Sequence, residues 1–101
     1  MIRWSQGVEK VHYLIRALTP HIGARTFHPG VSGPIKVLRS KILQKELQSS
    51  SPSAILPANK RILVACGEGV LEILELQTPG GRALSVDDFL RGRRLEGAFS
   101  S

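Results

Sequence analysis

With 101 residues and 42% hydrophobic content, the chain can build one domain around a small core. A single cysteine excludes an intrachain disulfide and a zinc site of ordinary ligand spacing; no apolar run approaches the ~20 residues that span a bilayer, and the opening MIRWSQG has no signal-peptide core. The net charge of +6 points to a polyanionic partner, and it is uneven: residues 1–45 carry eight cations against Glu9 alone, net +7, while residues 46–101 carry six cations against seven acids, net −1.

Val8, Val11, Leu14, Ile15 and Leu18 recur at helical spacing and predict an amphipathic helix. Ser5 is placed to cap its start. Pro20 holds Thr19 in extended backbone, so the helix should end near Leu18. Gly23 then permits a turn into a first strand at residues 25–28. The composition of residues 29–34, PGVSGP, is that of a loop. Residues 35–43 predict a second strand in which Ile35 and Val37 alternate with Lys36 until the apolar phase slips at Leu38. A slip of one residue predicts a bulge, which bends a strand and helps to close a barrel. It would also turn Lys36, Arg39 and Lys41 outward together.

Residues 48–53 read as a polar loop, 54–57 as a short strand and 58–61 as a turn. The continuous apolar run 62–66 fits a buried strand, with Cys66 a buried thiol without special reactivity. Gly67-Glu68-Gly69 turns the chain. Residues 70–77 fit a short helix as well as a two-sided strand, and the bounding glycines Gly67, Gly69, Gly80 and Gly81 favour the strand. Ser85 caps a last helix, with Asp87 and Asp88 at its positive end and Gly92 at its close. Helix, five short strands and helix suggest a small, nearly closed β-barrel, with an open α+β sandwich as the alternative.

No catalytic constellation emerges. His12 lies near the polar boundary of the first helix, and His21 and His28 flank the first strand. Asp87-Asp88 reads as a helix start, and GEG at 67–69 as a turn with no strand-to-helix phosphate loop. Binding chemistry remains. Arg25, Lys36, Arg39 and Lys41 are the leading phosphate candidates, because strand alternation can gather several on one surface. Arg16 has two readings, a guanidinium satisfying carbonyls at the helix end or a phosphate contact. Arg91, Arg93 and Arg94 form a second cluster that equally suits a solvated helix end. Phe27 and Phe89 are expected in the core and Trp4 on the surface, so backbone contact without base readout is expected.

Ile15-Arg16-Ala17-Leu18, then Pro20, then Gly23-Ala24, resembles the "IRAL-x-P-x-x-GA" signature of the C-terminal domain of the methionyl-tRNA formyltransferase family. Gly69-Val70-Leu71, Leu74-Glu75-Leu76-Gln77 and Gly80 resemble its "G-x-L-x-(I/L)-x-x-(L/V)-Q-x-x-G". Asp87-Asp88-Phe89-Leu90-Arg91-Gly92 resembles its "a-x-(D/E)-F-x-x-G". The likeness runs in order from Trp4 to Gly97. Ile22 departs from it where a second proline is usual, Leu84 where methionine is usual, and Ala54 where glycine is common.

The resemblance implies an OB-like barrel spanning residues 1–101, preceded by a helix and closed by a short one, with residues 70–77 a strand. It implies an accessory domain without catalysis of its own and without its own cofactor or metal. The catalytic asparagine, histidine and aspartate, and 10-formyltetrahydrofolate, would belong to a Rossmann-like catalytic domain that nothing here matches. The implied partners are that domain and initiator methionyl-tRNA, with no membrane and a monomeric chain. The expected location is the cytoplasm if bacterial, otherwise a mitochondrial or plastid matrix. Two alternatives stand beside this: a packing module of another folate-dependent formyltransferase, or a stand-alone RNA-binding protein.

Overall fold

The predicted apolar stripe forms α1, Val8–Leu18, which buries Val8, Val11 and Ile15 in a computed structural model describing residues 1–19, 22–49 and 51–100. Leu14 and Leu18 pack against the same core from its margin. The expected cap does not form: Gly7 is the N-cap, in extended backbone and without a side-chain bond. Ser5 lies two residues upstream, in a turn where the Gln6 amide donates to Arg3 O at 3.1 Å. The helix start is held by the neighbouring strand, through the Gly7–Glu68 bridge. The helix ends at Leu18 as predicted, with Thr19 extended at φ −87° and ψ 138°. Pro20, to which that stop is attributed, and His21 lie outside the described residues.

Among the described residues six strands follow: β1 (Ala24–Thr26), β2 (Ile35–Gln48), β3 (Ile55–Leu56), β4 (Ile62–Ala65), β5 (Glu68–Gln77) and β6 (Leu84–Ser85). All pair antiparallel in the order β1-β2-β5-β4-β3, with β6 also on β5. Residues 70–77 are therefore strand, flanked by β2 on one edge and by β4 and β6 on the other. Glu68 and Gly69, expected in the turn, already belong to it. β6 was not predicted, because two residues carry no period; pairing of Leu84 with Leu76 creates it. β2 runs on to Gln48, beyond the expected end near Leu43. Pairing with β5 extends it, and its last six residues are exposed. The predicted bulge is present: Val37 opposes Leu76 and Arg39 opposes Glu75, so pairing steps over Leu38. A matching step over Leu74 on β5 brings Ser40 opposite Ile73.

The strands curl into the expected small barrel, and residues 97–100 join its two edges. On one side the Ile55 amide donates to Gly97 O (2.7 Å) and the Phe99 amide to Ser53 O (3.0 Å). On the other the Ser100 amide donates to Phe27 O (2.8 Å). The N-terminal segment closes the base, with the Ile2 amide on Arg25 O and the Gly67 amide on Trp4 O, both at 2.8 Å.

Trp4 is accordingly buried, not exposed as expected. Its ring stacks on Phe99 at 5.5 Å, and its Nε1–H donates to Thr26 Oγ1 at 2.9 Å. The Thr26 hydroxyl in turn donates to Ser100 O at 3.2 Å. Phe27 departs in the other direction. It follows the last residue of β1 and is 38% exposed, because β1 turns Ala24 and Thr26 inward and leaves the next odd position outside. Phe89 is in the core as predicted.

The last helix, α2 (Val86–Gly92), starts as predicted, with Ser85 Oγ accepting from the Asp88 amide at 3.2 Å. Glycine is required where β4 meets the N-terminal segment. A Cβ on Gly67 would lie 2.0 Å from Ser5 O, and one on Gly69, at φ +91°, 2.4 Å from Val8 Cγ1. Cys66 is buried in this corner, and burial pushes its thiol up to about 11.

Gly67→Ala should therefore lower the urea midpoint of unfolding, by an amount equivalent to about 1–3 kcal/mol, since backbone must move to admit one methyl group. Gly92→Ala, where a Cβ meets nothing within 4 Å, should leave that midpoint unchanged or raise it. A thiol reagent should label Cys66 slowly in the native protein and rapidly in denaturant, measured by the time course of adduct formation.

Candidate nucleic-acid interface

The outward face of the sheet collects four of the five candidate cations. β1 turns Ala24 and Thr26 inward and Arg25 outward. In antiparallel register Arg25 lies directly opposite Lys36, and Lys36 lies opposite Gln77 on its other side. Directly opposed residues share one face with Cβ atoms ~4.5–5.5 Å apart. This row thus holds two cations and no acid. Lys36 is half-buried because its methylenes cross Gly23, where a Cβ would meet Lys36 Cδ at 3.1 Å. Its ammonium can still reach water past that stem.

The next rows differ. Arg39 and Lys41 are both exposed, but Arg39 opposes Glu75 and Lys41 opposes Glu72. Glu72 also accepts two bonds from Arg61, Nη2 to Oε1 at 2.9 Å and Nε to Oε2 at 3.1 Å. Those bonds, aided by the charges of Arg61 and Lys41, hold the Glu72 carboxyl below its ordinary range. The separation of charge along the chain is thus only partly kept in space. Pairing of β2 with β5 sets acids of the second half against cations of the first. Sequence reasoning missed Glu72, Glu75 and Arg61, because their places depend on how β2, β4 and β5 pair, which no single segment shows. It also passed over Arg3, an exposed cation brought beside β1 by the Ile2–Arg25 backbone bond.

Arg16 stands apart from the sheet rows, exposed in the last turn of α1. The two regions nonetheless meet: the Gly23 amide donates to Leu18 O at 2.9 Å, and the Lys36 stem lies over Gly23. One turn before Arg16, His12 Nδ1 pairs with Ser40 Oγ at 2.7 Å. Burial, and then the charge of Arg16, lower the His12 pKa below its ordinary 6.5. His28 is structural: its Nδ1 accepts from the Gly30 amide at 2.9 Å, and its Nε2–H donates to Glu96 O at 2.7 Å. In the second cluster Arg91 and Arg94 each face an acid at 3.5 Å, Asp88 and Glu96 respectively.

Two cavities, of about 520 and 450 Å3, lie elsewhere, one between the β3–β4 turn and residues 94–97, the other beside α2. Neither is lined by any of the five candidates. The cationic rows form an open surface, suited to an extended polyanion.

A model of the formyl transferase C-terminal domain matches residues 1–94. The chain is similar to a methionyl-tRNA formyltransferase of Rubrobacter xylanophilus, 47% identical over 98 residues, which covers 97% of this chain and 32% of that protein. It is similar to the Clostridium novyi protein of the same name, 36% identical over 94% of this chain and 30% of that protein. With that of Parvibaculum lavamentivorans the identity is 39%, over 94% and 30% respectively. The chain spans about a third of the length of these curated relatives.

His12 yields a prediction with a defined sign. A folded-state pKa below 6.5 means that the unfolded chain binds more protons as pH falls. Stability from the neutral ring is present above pH 6.5 and lost as pH falls through the lowered folded value. Urea melts of wild type and His12→Gln between pH 7.5 and 5 should show a flatter acid-side decline in the variant.

Proposed function

This chain belongs to the formyl transferase C-terminal domain family, and from that premise we propose that it is the accessory tRNA-binding domain of a methionyl-tRNA formyltransferase. It holds the phosphate backbone of initiator methionyl-tRNA while a separate catalytic domain transfers the formyl group from 10-formyltetrahydrofolate. The chain by itself performs no formyl transfer.

The observation that carries this reading is the Arg25–Lys36 row. Like charges directly opposed across a strand pair are destabilising. Arg39 and Lys41 each have an acid opposite, whereas Arg25 and Lys36 have each other and Gln77. A polyanion laid across the row offsets that repulsion and releases its counterions on binding. Arg39, beside Glu75, extends the surface at lower charge density, and Arg16 and Arg3 border it. Contacts of this kind set position and supply affinity without reading sequence. Without a linked catalytic domain the affinity of the chain alone is modest.

A salt titration of tRNA binding tests this. The Arg25→Ala/Lys36→Ala variant should bind more weakly than wild type, with a log–log salt slope flatter by roughly 1.4–1.8, two phosphate contacts' worth. The Arg39→Ala/Lys41→Ala variant should lose less, because each of its cations already has an acid opposite. Equal losses would remove the special role of the Arg25–Lys36 row. Absence of tRNA binding by the wild-type chain at low salt would move the assignment to an interdomain packing module.

A further inference from the structure

Tyr13 is the most exposed aromatic side chain among the described residues, at 56%, whereas Trp4, Phe89 and Phe99 are buried. It lies on the solvent side of α1, opposite the buried stripe of Val8, Val11 and Ile15. Lys10 and Arg16 stand three residues before and after it and are both exposed. That spacing puts each on the same helix face, with Cβ atoms ~5–6 Å from that of Tyr13. Neither cation has an ion pair among the described residues. The Tyr13 hydroxyl has no hydrogen bond among them either. His12 stands beside it, ring centroids 6.2 Å apart, and is anchored through Nδ1 to Ser40. The platform is an aromatic face carried on a packed helix, with a cation on each side.

We infer that Tyr13 stacks on an unpaired nucleobase, with Lys10 and Arg16 taking the phosphates that flank it. Stacking on an aromatic face is tolerant of base identity and needs only a base free of its own stack. The inference rests on the tRNA reading and deepens it. The C-terminal end of α1 adjoins Gly23 and hence the Lys36 stem, so one strand of RNA crossing the Arg25–Lys36 row runs on toward this helix. The ring supplies a contact that depends on unpaired structure, which the phosphate rows cannot supply.

The test uses the whole chain with two probes, unmodified tRNA and a blunt-ended RNA duplex without unpaired bases, each titrated at several salt concentrations. Tyr13→Leu should weaken tRNA binding about five- to tenfold, the low end of the range for loss of one stacked base, with the salt slope unchanged because no charge is removed. Binding to the duplex should be unaffected. Tyr13→Phe should behave as wild type, since the ring and not the hydroxyl makes the contact. Lys10→Gln/Arg16→Gln should flatten the salt slope on tRNA. Tyr13→Leu that binds tRNA as tightly as wild type overturns the stacking role alone, as does an equal loss on the duplex. If the wild-type chain binds neither RNA, the tRNA reading fails and the stacking role fails with it. Urea melts of each variant confirm that an exposed substitution has left the fold intact.

Discussion

The barrel depends on the burial of Trp4. Its indole is the largest fully buried side chain, and it joins three parts of the chain far apart in sequence. The ring lies against Phe99 of the C-terminal segment, and its Nε1–H reaches Thr26 at the end of β1. The Thr26 hydroxyl passes the chain of hydrogen bonds to Ser100 O. An indole N–H buried without an acceptor costs about 1–3 kcal/mol, so Thr26 is what permits tryptophan here. The same triad draws residues 97–100 into place between β1 and β3, joining edges that a five-stranded path would leave open.

That closure fixes the strands against one another and thereby sets the electrostatics of the outer face. Among the described residues β2 is the only strand that pairs with β1, and between Val37 and Ser40 its pairing with β5 carries two compensating steps, over Leu38 and over Leu74. Those steps decide that Glu75 meets Arg39, and by changing the in–out phase of both strands they turn Arg39, Lys41 and Glu72 to the outer face. Arg25 and Lys36, paired before the steps begin, form the row with no opposing carboxylate. Without the steps Arg39 would oppose Leu74, and the alternation that puts Lys36 outside would turn Lys41 inward. The positive surface is therefore a product of two bulges as much as of composition.

The arrangement suits an accessory role. Its cations lie on an open sheet face and along a helix, away from both cavities, and its buried histidine, His28, has both ring nitrogens committed to backbone groups. Under the proposed function, a surface of this form contributes affinity and placement to a larger enzyme. The chain belongs to the formyl transferase C-terminal domain family and spans about a third of the length of its relatives.

The sequence by itself determined the elements whose signal is local. The apolar stripe of α1, the stop near Leu18, the Ser85 cap of α2, the slip at Leu38 and the buried run at 62–66 all follow from neighbours within a few residues, and all are present. Three ordered motifs also carried the family resemblance and the barrel. Only the tertiary structure decided what depends on distant partners. Trp4 is expected at the surface because it lies where the chain would enter from a catalytic domain, yet Phe99, Thr26 and Ser100 cover it from across the chain. Ser5 matched a cap by residue type, yet the bridge from Gly7 to Glu68 sets the helix start. β6 exists only because β5 has an edge to offer it. Charge along the chain is a one-dimensional quantity, and strand pairing folds it onto itself. The five candidate cations were legible by type, but which of them keep unopposed charge was settled by cross-strand register, a property of two strands together and of neither alone.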